Sequence, residues 1–109
     1  CHSCANPLTA HYGLTHGVAI GIMLPHVVRF NAPAAGARYA ELGGSAERLA
    51  DRVAELTATA GLPTTLREAG VSAGILGLLA HEANQQWTAR FNPRPVTEED
   101  ILGIYQSAW

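Results

Sequence analysis

Apolar residues recur every three or four positions along nearly the whole chain, which is the period of an α-helix. The pattern is clearest after Ser45, a residue type that caps helices. The apolar positions of that segment are Ala46, Leu49, Ala50, Val53, Leu56 and Ala60. No segment alternates with the period of two that a half-buried strand requires. We therefore predict an all-α domain, a compact bundle of about six helices.

Glycine and proline residues divide this pattern into segments. The first expected helix is short and lies before Gly13, and the second runs from His16 to a kink or break at Pro25. A helix over 34–42, which Gly43 and Gly44 stop, precedes the helix after Ser45. The remaining ones are a short helix from Thr65 to Gly70, one after Ser72 whose apolar side ends at Trp87, and a last one from Thr97. On the helix after Ser45, Arg48 can pair with Asp51, and Arg52 with Glu55.

Composition limits the classes of partner. At 109 residues, 48% of them apolar, the chain has the size and composition of one ordinary globular domain. Its longest apolar stretch, Val18–Leu24, has seven residues, far short of the roughly 20 that span a bilayer. Seven arginines and nine acidic residues are scattered without a basic block, for a net charge of −2. We expect neither a membrane nor a nucleic-acid partner, and a cytoplasmic location.

Two histidines near the start of the chain, His2 and His16, have the residue type of metal ligands. On one straight helix their fourteen-residue separation would place them roughly 21 Å apart, too far to share an ion. However, Gly13 can end the first helix, and Asn6-Pro7 weakens it earlier. A turn there could bring the two imidazoles together. On spacing alone, a role as helix-terminal or partly buried polar residues is equally open.

Two collinear stretches resemble one known family. The stretch from His2 to Asn31, which includes Thr15-His16-Gly17 and Leu24-Pro25-His26, resembles the metal-binding signature of the iron-containing (group III) alcohol dehydrogenases. The stretch from Asn92 to Trp109, which begins Asn-Pro-Arg-Pro, resembles the C-terminus of that family. The resemblance therefore covers nearly the whole chain.

The resemblance implies a fold, a metal and a reaction. Residues 1–109 would be the C-terminal helical domain of an iron-type, dehydroquinate-synthase-like architecture. In that family an Asp and a His from an upstream helix and two later histidines hold one divalent ion, usually iron and sometimes zinc. The later two histidines match His2 and His16. The reaction is hydride exchange between a small alcohol or aldehyde and NAD or NADP.

The dinucleotide-binding domain of such an enzyme is expected to be absent from this chain. The chain begins inside the metal-binding motif without an initiator Met, and it contains no G-x-G-x-x-G phosphate loop. We therefore expect an N-terminally truncated piece that has no activity by itself. Its apolar Val18–Leu24 segment would lack a cover, which predicts self-association into a homo-oligomer.

The resemblance also implies positions near the cofactor and the substrate. The family commonly has a histidine close to the nicotinamide four residues after the first ligand, and this sequence has Asn6 there. An amide cannot relay a proton as an imidazole can. The family uses the segment around Thr88 to Phe91 near the substrate. The loop Asn92–Pro95 that follows, rigid because of its two prolines, suits either a pocket wall or a plain connector.

The remaining candidates are assigned no role in the metal site. Cys1 and Cys4 form a C-x-x-C pattern without a second ligand pair, so they are interpreted as packing residues. His11 is not expected to share a role with His2, His81 is expected to be a polar helix residue without catalytic duty, and His26 is expected to be a structural, hydrogen-bonded residue.

Two alternative functions stay open beside the dehydrogenase. One is a relative of maleylacetate reductase, although Gly17 stands where that branch tends to carry Ala-Glu. The other is a stand-alone helical interaction module without catalysis.

Overall fold

The computed structural model describes all 109 residues and contains helices but no strands. The elements, in chain order, are α1 (His2–Tyr12), α2 (His16–Gly43), α3 (Ala46–Thr59), a 3₁₀ helix (Ala73–Ile75), α4 (Leu76–Gln85), a second 3₁₀ helix (Trp87–Phe91) and α5 (Glu98–Ala108). The predicted all-α class is confirmed, with five α-helices in place of about six.

The difference in helix number comes partly from α2. Of the predicted kink or break at Pro25, a break is wrong, and so is the separate helix over 34–42, because α2 continues for 28 residues through Pro25 and Pro33. Each proline removes one backbone donor, a cost of about 3 kcal/mol in a helix interior. Buried side chains on both sides of Pro25, Met23 and Val27 among them, hold the helix against the core and offset that cost. The helix ends at Gly44, which has a left-handed φ of 82°.

Helix α2 is the central helix and packs against α1, α3 and α5. By length and composition alone it could cross a membrane, since an 18-residue window has a mean hydropathy of 1.2. Within the domain, 44% of that window is buried. A packed core helix has the same properties, so this observation is weak evidence for a membrane span. The absence of a membrane partner stays a prediction.

The other difference lies between α3 and α4. Glu68 N–H donates to Thr65 Oγ1 and Thr64 N–H donates to Glu68 Oε2, at 3.1 and 2.8 Å. The bonds that the Thr64 backbone and hydroxyl donate to the Glu68 carboxyl lower its pKa. The capping contacts therefore form as the sequence indicated, but the residues up to Gly70 make turns, and the predicted short helix is wrong. The capping box of Thr97 and Asp100 does begin a helix, α5.

Helix α3 packs mainly on α2, and charged side chains of α3 form ion pairs with α2 as well as within α3. Arg52 and Glu55 form the predicted pair at 3.1 Å. Asp51, in contrast, binds Arg29 of α2 at 2.6 Å rather than its predicted partner on α3. Leu56, expected on the inner face, is 53% exposed. With only α2 to cover it, α3 buries a narrower stripe than its periodicity indicates.

The core lies where α1, α2, α4 and α5 meet, and Tyr105 is its largest fully buried side chain. The Tyr105 hydroxyl donates to the Cys4 carbonyl at 2.7 Å, so it ties the last helix to the first. Burial raises the pKa of this phenol far above its ordinary value. Nearby, the Trp109 indole N–H donates to the Val71 carbonyl at 2.8 Å and anchors the chain end.

Candidate metal centre and adjoining cavity

A tight reversal of the chain brings the ends of α1 and α2 together. Helix α1 ends at Gly13, whose φ of 63° is left-handed and whose N–H donates to the Thr9 carbonyl at 3.0 Å. Two residues later Thr15 stands as the N-cap of α2, so that His16 is its first residue. The turn that Gly13 predicts is therefore present, although Pro7 stays inside α1.

His2 and His16 face each other across this reversal. His2 Nδ1 lies 3.0 Å from His16 Nε2, and the two exposed rings are nearly parallel, with an interplanar angle of 7°. The predicted approach of the two imidazoles is confirmed. Two nitrogens that each lie about 2.1 Å from a shared tetrahedral or octahedral ion are separated by roughly 2.9–3.4 Å. The observed separation fits that arrangement, and it also fits a single N–H···N hydrogen bond.

The donor set within this chain is limited to that pair. No group of three or more His, Cys, Asp or Glu side chains is arranged to hold a metal ion. Two imidazoles leave most of the coordination sphere of a divalent ion to other ligands. The pair by itself could therefore supply only part of the ligands of a metal site, and its role as a metal site stays a prediction.

The other three histidines do not join the pair. His11 Nε2 lies 2.9 Å from Glu82 Oε2 on α4, and His81 Nδ1 lies 3.0 Å from Glu98 Oε2 on α5. His26 is partly buried and makes no side-chain hydrogen bond, contrary to the expectation that it is hydrogen-bonded. Burial, and secondly the charge of Arg29, lowers the pKa of His26.

The Asn6 side chain does not face the cavity beside His2, where the resemblance places a residue near the nicotinamide. It lies one helical turn after His2, but its side-chain Nδ2 donates to Gln86 Oε1 at 3.0 Å. It is not among the residues that line the cavity beside His2. Gln86 immediately precedes the second 3₁₀ helix, so the Asn6 amide positions the start of that segment. Contact between Asn6 and a nicotinamide stays a prediction.

The two cysteines pack at the start of α1. Both are free thiols, and Cys4 is buried. Burial raises the pKa of the Cys4 thiol, which disfavours the thiolate form that binds metals or attacks disulfides. This supports the interpretation of Cys4 as a packing residue.

A cavity of about 570 Å³ opens beside the histidine pair. It is lined by 18 residues, of which 12 are hydrophobic: Cys1, His2, Ser3, Cys4, Leu24, Val27, Phe30, Asn31, Tyr39, Trp87, Thr88, Ala89, Phe91, Asn92, Pro93, Val96, Ile101 and Ile104. Thr88 and Phe91, the predicted pocket residues, are both in this wall. The Thr88 hydroxyl oxygen is buried without a hydrogen-bond partner.

Two aromatic side chains from the second 3₁₀ helix stand at this wall. Trp87 is 68% exposed and Phe91 is 75% exposed, and their rings meet edge to face with centroids 5.7 Å apart. Trp87 was expected to continue the buried side of α4. Because α4 ends at Gln85, Trp87 belongs to the 3₁₀ helix and leaves the core.

An amide pair that sequence reasoning missed fastens this wall to α2. Asn31 is 2% exposed, and its side-chain amide exchanges two hydrogen bonds with that of Asn92, at 2.9 and 2.7 Å. Arg94 donates to the Phe30 carbonyl at 3.0 Å, and its guanidinium lies 4.2 Å from the centre of the Phe30 ring. Asn92 and Pro93, the first two residues of the Asn92–Pro95 loop, are therefore part of the cavity wall. The only local signal was an Asn in an apolar stretch of helix.

Comparison with known proteins agrees with this geometry. The sequence profile for the C-terminal part of the Fe-containing alcohol dehydrogenase family matches residues 1–109. The chain belongs to this family.

Individual relatives resemble the chain over its whole length. Lactaldehyde reductase from Escherichia coli (strain K12) is 36% identical over an alignment 121 positions long, which covers 99% of this chain and 32% of that protein. A crystal structure of 1,3-propanediol oxidoreductase superposes with a TM-score of 0.93 at 29% identity, over 99% of this chain and 32% of that one. Maleylacetate reductase from Agrobacterium tumefaciens superposes less closely, with a TM-score of 0.81 at 27% identity, over 99% and 31%. The chain thus spans about a third of the length of these proteins.

Proposed function

We propose that this chain is the C-terminal metal-binding domain of an oxidoreductase that transfers hydride between an alcohol, or its aldehyde or ketone, and NAD or NADP. The single observation that carries the proposal is the 3.0 Å approach of His2 Nδ1 and His16 Nε2 in a member of the iron-type family. Other features support it. The pair has no carboxylate partner in this chain, and it borders a cavity of a size suited to a small molecule.

His2 and His16 would hold the divalent ion, iron or zinc, together with ligands from an upstream domain. When bound, such an ion supplies Lewis-acid chemistry that polarises an alcohol or carbonyl oxygen. The two imidazoles act as holders of the ion and not as proton carriers, because their facing nitrogens are the donor atoms. The nicotinamide would be bound by the upstream domain, since this chain has no phosphate-binding glycine loop.

The cavity would hold the carbon part of the substrate and keep water from it. His2 lines the cavity, so a molecule inside it lies next to one of the proposed ligands. Apolar side chains make up most of the wall, which lowers the local dielectric around reacting charge. Thr88 and Phe91 contribute to this wall and would contact the substrate.

The two alternative functions have less support. The substrate named for maleylacetate reductase carries carboxylates, whereas no Arg or Lys lines the cavity of this chain. A non-catalytic interaction module would not require two histidines to meet next to an apolar cavity. We therefore favour the alcohol dehydrogenase.

The test uses the full-length protein that carries this chain and the 109-residue chain alone. The full-length protein should contain about one divalent ion per chain and reduce NAD or NADP with an alcohol, and a chelator should abolish this activity. The chain alone should be inactive even with excess ferrous iron or zinc. Turnover by the pure 109-residue chain, or full activity of a metal-free full-length protein, would contradict the proposal.

We further propose a cytoplasmic homo-oligomer. The Val18–Leu24 segment does not lack a cover, contrary to expectation, because its residues Ala19, Ile22 and Met23 are buried in the domain itself. Exposed apolar side chains lie elsewhere, with Leu42 77% exposed at the end of α2. Free thiols are consistent with a reducing compartment. Sedimentation of the 109-residue chain at several concentrations tests association, and a strictly monomeric species at high concentration would contradict it.

A further inference from the structure

The cavity beside His2 has no carboxylate, guanidinium or lysine side chain in its wall. None of its 18 lining residues is Asp, Glu, Lys or Arg. Its two amides, from Asn31 and Asn92, are bonded to each other and not directed at a ligand. Polar groups that are satisfied in this way add shape to a pocket without adding a site for a polar ligand. One polar group of the wall, the Thr88 hydroxyl, is buried without a partner, but it carries no charge. The wall therefore suits a neutral and mainly apolar molecule.

The cavity is also large for the smallest alcohols. A three-carbon diol occupies roughly 120 Å³, which is the volume that about four water molecules take up in the liquid. The cavity measures about 570 Å³ and is open to solvent on one side, so it offers more room than such a diol fills. A short diol would leave most of the apolar wall in contact with water, whereas a longer hydrocarbon chain would cover it.

The exposed aromatic pair extends this apolar surface outwards. Trp87 and Phe91 both line the cavity, and more than two-thirds of each side chain is accessible. The rings contact each other edge to face, and the 3₁₀ helix that carries them is held at its start by the bond between Asn6 and Gln86. A hydrocarbon chain that leaves the cavity would pass along these two rings.

We propose that this cavity binds the hydrocarbon part of an extended neutral alcohol, longer than the three-carbon compounds named for lactaldehyde reductase and 1,3-propanediol oxidoreductase. The inference rests on the proposed function for the position of the reacting oxygen, next to His2. The binding of the hydrocarbon part rests only on the cavity of this chain. The hydroxyl end would lie towards His2, and the far end towards Trp87 and Phe91.

Binding can be measured in the 109-residue chain without metal or cofactor. The indole N–H resonances of Trp87 and Trp109 report separately, and Trp109 lies outside the cavity with its N–H bonded to Val71. We expect 1-octanol to shift the Trp87 resonance saturably while Trp109 stays unchanged, and 1,3-propanediol to shift neither. Absence of a Trp87 shift with octanol would overturn the proposal. So would a Trp87 shift caused by raising the protein concentration alone, since a second copy would then cover the cavity.

Chain-length selectivity in the full-length, metal-loaded protein gives the second readout. We expect kcat/KM to rise from 1-propanol to 1-octanol, by at most about fourfold for each added methylene that is buried. Ala89→Phe, which fills part of the cavity, should lower the octanol-to-propanol ratio by more than tenfold. The matched control is Ala58→Phe on the exposed side of α3, which should leave the ratio unchanged.

The two readouts separate this inference from the proposed function. If octanol shifts Trp87 but the metal-loaded protein oxidises no alcohol, the proposed function fails and the apolar binding site stands. If the protein oxidises three-carbon alcohols but kcat/KM does not rise with chain length, the proposed function stands and this inference is wrong.

Discussion

The five histidines of this chain lie in different environments. The candidate metal centre differs from the rest of the molecule in what its histidines contact. His11 and His81 each bond to a glutamate on another helix. His2 and His16 have no such partner and lie against each other. An imidazole bonded to a carboxylate ties two helices together. Two facing imidazoles present nitrogen donors that an ion can use.

The difference follows from the position of acidic residues. Neither α1 nor α2 has an acidic residue in its first turn, where His2 and His16 stand. His11 and His81, in contrast, lie opposite Glu82 and Glu98 on neighbouring helices. His11 and His81 therefore each use one ring nitrogen in a bond to a carboxylate, whereas the facing nitrogens of His2 and His16 meet only each other.

The largest effect is expected from His16→Ala in the full-length protein. It should remove most of the bound metal and lower kcat by more than the roughly 10–100-fold that is typical of losing an outer partner of a ligand. Metal analysis and steady-state kinetics measure this. His81→Ala is the matched control and should leave metal content and kcat nearly unchanged. A His16→Ala protein with normal metal and activity would remove the distinction between the two kinds of pair.

His26 belongs to neither kind of pair and should control part of the pH dependence of stability. Burial lowers its pKa in the folded state below the ordinary value of 6.5, so the unfolded chain binds more protons. The free energy of unfolding should therefore fall as the pH drops below about 6.5, and His26→Gln should reduce this fall. Arg29, Glu99 and Asp100 line the same groove, and Asp100 stays ionised there because bonds from Thr97 lower its pKa.

Urea unfolding at pH 7 and pH 5.5 measures the contribution of His26. His81→Gln, at an exposed position, is the control. If the wild type and His26→Gln lose the same stability between the two pH values, the unpaired imidazole is not the cause.

His11→Ala should have a smaller effect. It removes a bond between α1 and α4 whose two side chains are about one-third exposed, and partly exposed pairs contribute about 0.2–1 kcal/mol. The loss should shrink in high salt. Glu82→Gln should produce a similar loss, and the double variant should lose less than the sum of the two. Full additivity of the two losses would show that the pair does not act as a tie.

The smallest effect is expected at His81. Both His81 and Glu98 are about half exposed, so His81→Ala should change the free energy of unfolding by no more than about 0.5 kcal/mol. Thermal unfolding of the chain measures this. A loss as large as that of a core substitution would contradict the assignment of this pair to the surface.

Local rules explain why some features could be predicted from the residues. Gly13 ends α1 because glycine takes a left-handed φ without strain. Thr97 and Asp100 cap the start of α5 through bonds within one turn. The same rules misjudged Pro25 and the segment from Thr65 to Gly70. In the first case, packing on both sides outweighs a missing bond. In the second, a correct cap is not followed by enough buried contacts to extend a helix.

The sequence by itself determined the all-α class, the family, and the two histidines that could meet, since these depend on periodicity, on motifs and on one glycine turn. Only the tertiary structure decided that α2 runs through its prolines, that Asn31 binds Asn92 across 61 positions of the chain, and that a cavity opens beside His2. It also decided which histidines meet a carboxylate. The physical reason is that these outcomes depend on contacts between segments far apart in the chain, whose free energy is gained only when the helices pack.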